Sequence, residues 1–292
     1  MSCCCDSKIK LRIVSSNPCR YGSHVNLHST ILETLKGDCK CAQIFLGNKL
    51  SYNSRTLSAN DKEATIEYCE KHDKTFYVHA SLILNLAKDS DIETKNSFDA
   101  ISKELTQIKD MPAACVLHIG KRGTIENVCR RINDLESSRF LYAGSHERTP
   151  YPLLMENDAG SGTAIGTSLD ELRHLFEGID CPHVGLCIDT QHSFAGGLCD
   201  FQNHEDVVKF FDECESISPG GISLVHLNDS EKEFGSRVDR HAPLGMGYIW
   251  GKGQFSGLKT LIERCREKNI DMVSETSDPE SDHALIRRLS PQ

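Results

Sequence analysis

The 292-residue chain contains no apolar run close to the ~18 residues that a membrane-spanning helix requires. Its opening, MSCCCDSKIKLRIV, lacks the long apolar core of a secretory signal. Both absences lead us to expect an intracellular protein, neither secreted nor held in a membrane. No basic localisation cluster is present, so nucleus, cytoplasm and viral particle stay open. No CxxC knuckle occurs, which removes the commonest structural zinc site. No Gly-rich phosphate loop follows a first strand, which argues against an open doubly wound sheet. Gly160-Ser161-Gly162 and Gly251-Lys252-Gly253 are too short and badly placed for one. Internal repeats, low-complexity segments and Pro- or Ser-rich linkers are also missing. A single domain over residues 1–292 is expected, with 1–10 a flexible tail.

What is present needs interpretation. In an intracellular chain, 14 cysteines read as reduced thiols rather than disulfides. Cys115 and Cys187 lie inside apolar runs and are expected to be small buried hydrophobes. A net charge of −9 opposes coating of nucleic acid by bulk electrostatics. It leaves room for an enzyme whose positive field is local and carried by bound metal.

Eight short apolar runs read as strands buried on both faces: 20–24, 42–46, 76–79, 114–118, 153–156, 184–189, 222–226 and 272–275. Residues 11–14 compete for the first place. Helical patterns separate them at 60–72, 91–109, 124–137, 168–177, 204–216, 257–268 and 278–289. Thr167 and Ser168 carry a capping signal. This alternation predicts parallel strands, and eight units predict a closed (β/α)8 barrel of α/β class, a TIM barrel. Such a barrel uses about 250 residues as one domain.

The strand ends are unusual. The third run ends on His79, the fourth on His118, the fifth on Glu156 and the sixth on Asp189, with His192 three residues later. The seventh ends on His226, and its long loop presents Asp239 and His241 in GSRVDRH. The eighth ends on Glu275. In a barrel these ends share one rim, where active sites form. Taken alone, a His at a strand end is an ordinary polar residue, and an Asp after a strand is an ordinary helix cap. Six successive strand ends on one rim are different, because buried carboxylates without partners are costly. Imidazole and carboxylate are the usual ligands of zinc and related ions.

Nine groups exceed what one or two ions need. Three ions with one bridging carboxylate fit, and Zn, Mn, Fe and Co all suit the ligand types. Such clusters acidify a bridging water and offset charge on a phosphodiester, so the residues alone point to metal-assisted phosphoester hydrolysis.

The segments VHAS, LHIG, MENDAGSG, GLCIDTQHSFAGG, HLNDSEKEFGSRVDRHAPLGMGYIWG and SET closely resemble the endonuclease IV family of apurinic/apyrimidinic (AP) endonucleases. The opening YGSHV also looks like that family's first strand. The likeness runs from about Tyr21 to Glu275. It implies a TIM barrel with three zinc ions that cuts duplex DNA 5′ to an abasic site. The products would be a 3′-hydroxyl and a 5′-deoxyribose phosphate, and blocked 3′ ends would also be trimmed. By motif position, His79, His118 and Glu156 would hold one ion. Glu156, Asp189, His226 and Glu275 would hold a second, and His192, Asp239 and His241 the third. Glu156 would bridge the first two and orient the attacking hydroxide, as the catalytic residue. A monomer is the family default.

Departures lie in the loops that would meet DNA. Leu82 stands where relatives commonly have Tyr. Leu50 falls where relatives carry a wedging Arg, with Tyr52 and Arg55 nearby. Asp158 adds a negative charge to the family's ENTAG, and GEG becomes Gly245-Met246-Gly247. Lys121, Arg122, Arg237 and Arg240, together with Tyr52 and Leu82, are the expected DNA contacts. His24 and Asn228 are expected to line the pocket, and Gly160 and Gly162 to let backbone approach it. A sugar isomerase on the same barrel is the main rival, although a third ion site is surplus to isomerisation. A DNA-end binding protein with structural metals is the other.

Overall fold

The computed structural model describes residues 18–89, 91–138, 140–141 and 149–290. The chain runs β1 (Tyr21–His24), α1 (Ile31–Leu35), β2 (Cys41–Ile44), α2 (Ala59–His72), β3 (Thr75–His79), α3 (Asp91–Ile108), β4 (Ala113–His118) and α4 (Ile125–Ser137). It continues through β5 (Leu153–Glu156), α5 (Leu169–Gly178), β6 (Val184–Asp189), α6 (Thr190–Ala195), α7 (His204–Glu215) and β7 (Ile222–His226). It ends with a hairpin, β8 (Asp229–Ser230) and β9 (His241–Ala242), then α8 (Ser256–Lys268), β10 (Asp271–Ser274) and α9 (Pro279–Leu289). Eight strands close a parallel barrel in the order β1-β10-β7-β6-β5-β4-β3-β2.

The helices start where short polar side chains supply a first acceptor. Ser58 accepts from Asp61 N, Thr124 from Asn127 N, Ser168 from Glu171 N and Asn203 from Asp206 N. Their apolar faces cover the outside of the barrel through residues such as Ile101, Leu172, Phe211 and Leu261. Strands β3 and β6 are buried along their whole length, as expected where helices cover one face and the barrel fills the other.

Inside the barrel, side chains alternate with period two. Tyr77, Val116, Leu154, Cys187, Leu224 and Val273 belong to one interior apolar layer. Two residues further along each chain segment, on the same face, stand His79, His118, Glu156, Asp189, His226 and Glu275. The register pairs His118 with Glu156 and Asp189 with His226. At the opposite end, the Arg20 Nε lies 2.5 Å from Asp271 Oδ1. Thr75 and Tyr77 donate hydroxyls to the other Asp271 oxygen, the latter over 3.1 Å.

The strand expectations hold to within about two residues. Arg20 precedes β1 rather than opening it, and β2 stops at Ile44. Glu275 sits one residue beyond β10. The short helices α1 and α6 and the β8–β9 hairpin carry too little periodicity to be read from sequence. The competing run 11–14, the 1–10 tail and its three cysteines lie outside the described residues. Cys115 and Cys187 are buried, and the described cysteines are free thiols. No helix among the described residues is long and apolar enough to cross a membrane.

Candidate metal centre

The strand ends converge into three groups whose nitrogen and oxygen atoms lie within 4.8 Å of one another: His79, His118 and Glu156; Glu156, Asp189, His226 and Glu275; and Asp189, His192 and His241. Asp189 belongs to two of them, and so does Glu156. The Glu156 Oε2 is 3.3 Å from His79 Nε2 and 3.6 Å from His118 Nε2. Its Oε1 is 2.8 Å from His226 Nδ1. Asp239 completes the third group from the loop: its Oδ1 lies 3.5 Å from His192 Nε2 and 3.3 Å from His241 Nε2. Its side chain is 53% exposed, whereas Glu156 and Asp189 are fully buried.

A second layer of hydrogen bonds fixes three of the five candidate imidazoles. His79 Nδ1 donates to the Ala80 carbonyl over 2.8 Å, and His192 Nδ1 to the Asn157 carbonyl over 2.9 Å. His226 Nε2 donates to Gln43 Oε1 over 2.8 Å. In a neutral ring the other nitrogen is then an acceptor, and in all three cases it faces a carboxylate oxygen. Two acceptors face each other stably only with a proton or a cation between them. Glu156 Oε2, His118 Nδ1 and His241 Nε2 are moreover buried without a hydrogen bond, each a cost of about 1–3 kcal/mol if left so. The residues therefore fit divalent ions, and the all-N/O donor set is one that zinc, manganese, iron and cobalt accept.

The electrostatics agree. Burial alone would raise the Glu156 carboxyl, but the imidazoles of His118, His226 and His79 hold it well below the usual carboxylate range. Burial would likewise lower His241, yet Asp189, Asp239 and Glu275 raise it to about 9. His192 is raised against burial by Asp189, Asp239 and Glu156. Burial prevails at His118, which is lowered. Without metal, protons occupy the place of cations, so metal binding must release them.

Local structure explains the positions. Asp189 caps α6 by accepting from His192 N over 2.8 Å, so one turn of backbone sets both residues. Asn228 donates to Asp189 Oδ2 and accepts from Glu275 N, which places it behind the groups rather than on the pocket wall. Asp229 accepts from five backbone N–H groups, those of Ser230, Gly245, Gly247, Ile249 and Trp250, and so shapes the loop after β9.

Sequence reading missed Gln43. Its Oε1 accepts from His226 and its Nε2 donates to Glu275 Oε1 over 2.6 Å. The signal was one amide in the run Cys41-Ala42-Gln43-Ile44, two residues after the interior Cys41. Phe45 was also missed; its ring lies 4.5 Å from that of His24 and 5.2 Å from that of His79.

The expected DNA contacts separate into groups. Leu82 and His24 line the pocket over the metal ligands, about 270 Å³ in volume. Tyr52 is half-buried and packs on the core. Lys121, Arg122, Arg237 and Arg240 are exposed, and none lines that pocket. Arg237 adopts a left-handed backbone, with its carbonyl accepting from Ser161 Oγ. Gly160, also left-handed at φ +87°, lies against the Arg237 stem. Asp158 caps that turn by accepting from Gly160 N and stands 4.0 Å from His118 Nδ1.

Barrel and ligand rim together define a class. The profile of the family described as xylose isomerase-like TIM barrel matches residues 36–281. A protein named probable endonuclease 4, from Thermoplasma volcanium, is 34% identical over 237 residues, covering 80% of this chain and 79% of that protein. An apurinic-apyrimidinic endonuclease 1 from Plasmodium falciparum is 27% identical over 258 residues, covering 84% of this chain and 41% of that one. The crystal structure of endonuclease IV from Thermus thermophilus matches with a TM-score of 0.76 at 28% identity, covering 92% of this chain and 98% of that chain. The chain belongs to this barrel family and, within it, to the endonuclease IV family.

Proposed function

We propose that this chain is a DNA-repair endonuclease. It hydrolyses the phosphodiester 5′ to an abasic site in duplex DNA, leaves a 3′-hydroxyl and a 5′-deoxyribose phosphate, and trims blocked 3′ ends. It acts as a monomer, in one barrel domain, inside the cell. Three zinc ions serve it: one on His79, His118 and Glu156, a second on Glu156, Asp189, His226 and Glu275, and a third on His192, Asp239 and His241. When bound, such ions supply hydroxide near neutral pH and positive charge for the phosphate and the leaving oxygen.

The supporting observation is the shared Glu156: one buried carboxylate spans two groups and keeps an oxygen with no hydrogen bond. Glu156 thereby orients the attacking oxygen between the two groups. Asp239 and His241, nearer the opening, would with His192 hold the third ion, whose charge would meet the phosphate. Gln43 and Asn228 hold Glu275 from behind, so these ligands need little reorganisation during the reaction. The pocket, about 270 Å³, lies below the ~300–1,000 Å³ usual for ligand sites, which suits a sugar phosphate without its base. Arg237, Arg240, Lys121 and Arg122 offer charge to the flanking backbone.

The test is cleavage of a duplex bearing one tetrahydrofuran abasic analogue, with metal content measured on the same sample. The analogue cannot undergo β-elimination, so a cut leaving a 3′-hydroxyl means hydrolysis. Cutting with about three zinc per chain supports the reading. An intact duplex with fully metallated protein rejects it.

A further inference from the structure

We propose that Lys49 is a positioning residue that binds a DNA phosphate adjacent to the scissile one, in a groove that continues the metal pocket. This inference rests on the nuclease reading above. The groove, about 720 Å³, runs between the segment after β1 and the loop after β2. It shares His24, Phe45 and Lys49 with the pocket over the metal ligands, so the two form one continuous depression.

Their charges differ. The metal pocket is walled by three carboxylates, Glu156, Asp239 and Glu275. The lining of the groove contains none, but carries Lys49 at its junction with the pocket and Arg55 further out. The Arg55 guanidinium donates to the carbonyls of His28 and Ser29, so its charge is not cancelled by a carboxylate there. Lys49 is the one lysine or arginine lining the metal pocket among the described residues. A strand whose scissile phosphate enters the pocket must bring its next phosphate past the carboxylate rim. Lys49 is the cation at that border.

The backbone under Lys49 is fixed. Its carbonyl accepts from Leu82 N and from Ser81 Oγ, each over 2.9 Å, which ties it to the end of the strand that carries His79. Leu50 N donates to Asn48 Oδ1 over 2.8 Å, closing the turn on the other side. The ammonium thus projects from a point set relative to a metal ligand. Leu50, next in sequence, is 63% exposed and carries no charge. Lys49, one residue earlier, lines the pocket.

The experiment uses the metallated full chain, wild type, Lys49→Ala and Lys49→Arg. Binding to the nicked product duplex, which is not turned over, is measured by fluorescence anisotropy between about 50 and 200 mM salt, a range set by counterion release. Lys49→Ala is expected to bind more weakly and to lower the slope of log affinity against log salt by about 1. Lys49→Arg is expected to restore most of the slope. Single uncharged methylphosphonates are then placed at each phosphate beside the lesion. At one position the substitution should weaken wild type and leave Lys49→Ala unaffected, as paired groups do in a double-mutant cycle. An unchanged salt slope, or penalties that add at every phosphate, overturns the role of Lys49. If wild type fails to cut the tetrahydrofuran duplex, the nuclease reading fails first and this inference falls with it.

Discussion

The two ends of the barrel hold buried charge in opposite ways. At one end Arg20, Asp271, Thr75 and Tyr77 answer each other: the guanidinium meets the carboxylate, and two hydroxyls fill its remaining oxygen. At the other end the carboxylates of Glu156, Asp189 and Glu275 face imidazoles, of which His79, His192 and His226 are bonded on their far sides, and Glu156 Oε2, His118 Nδ1 and His241 Nε2 have no hydrogen bond. The first set is complete without a partner. The second is complete only with protons or cations. A closed polar network stabilises a fold, whereas an open one of this kind waits for something to bind.

The largest effects should separate these ends by what is lost. Glu156→Ala is expected to lower turnover on a tetrahydrofuran duplex by about 10³-fold or more. Its metal-free melting temperature should move far less than that of a change at the closed end. Retained cleavage would show that the shared carboxylate is dispensable. Asp271→Ala should do the reverse: it leaves the buried Arg20 with Asp73 as its carboxylate partner and takes the acceptor from Thr75 and Tyr77, and it should cost about 3 kcal/mol in urea unfolding, with zinc stoichiometry unchanged below the melting transition. A normal unfolding curve would mean that the plug does not hold the barrel.

A third buried carboxylate, outside the barrel wall, sharpens the contrast. Glu104 on α3 accepts only a weak thiol contact from Cys115, at 3.8 Å, and burial pushes its carboxyl up to about 7. Its folded value lies above its unfolded value, so the protonated form is the one the fold favours. That stability is full below the unfolded value of 4.5 and is lost as pH rises through 7. Glu104→Gln should therefore be more stable than wild type at pH 8, by up to about 3 kcal/mol. Parallel melting curves across about pH 5–8, a window about those values, would refute this.

The smallest expected effect concerns orientation. Gln43→Leu keeps the volume but releases His226 and Glu275. Zinc affinity in a chelator competition should fall about 10- to 100-fold, with little change in unfolding. Equal affinity would show that Gln43 merely fills space.

Much of this was legible because buried strands and rim residues follow strict periods. Six of the nine candidate ligands lie two positions beyond an interior apolar residue, so His79 follows Tyr77 and Glu156 follows Leu154 as alternation demands. The nine candidate ligands could be read because their chemistry is costly anywhere else. Gln43 was not legible: one amide in an apolar strand does not reveal that His226 will arrive opposite it from 183 residues away. Helix α6 was hidden because six residues carry too little periodicity. The spacing from Asp189 to His192 serves as a cap and as a ligand pair at once.

One consequence concerns the order of events in making the enzyme. The second group draws Glu156, Asp189, His226 and Glu275 from the ends of four different strands, and the last directly follows the final strand of the barrel. No chain that stops before Glu275 contains that group, and an unclosed barrel does not assemble it. Metal capture at this group is therefore a late act of maturation. It reports that the barrel has shut, and it acts as a latch by favouring the closed chain over every open one.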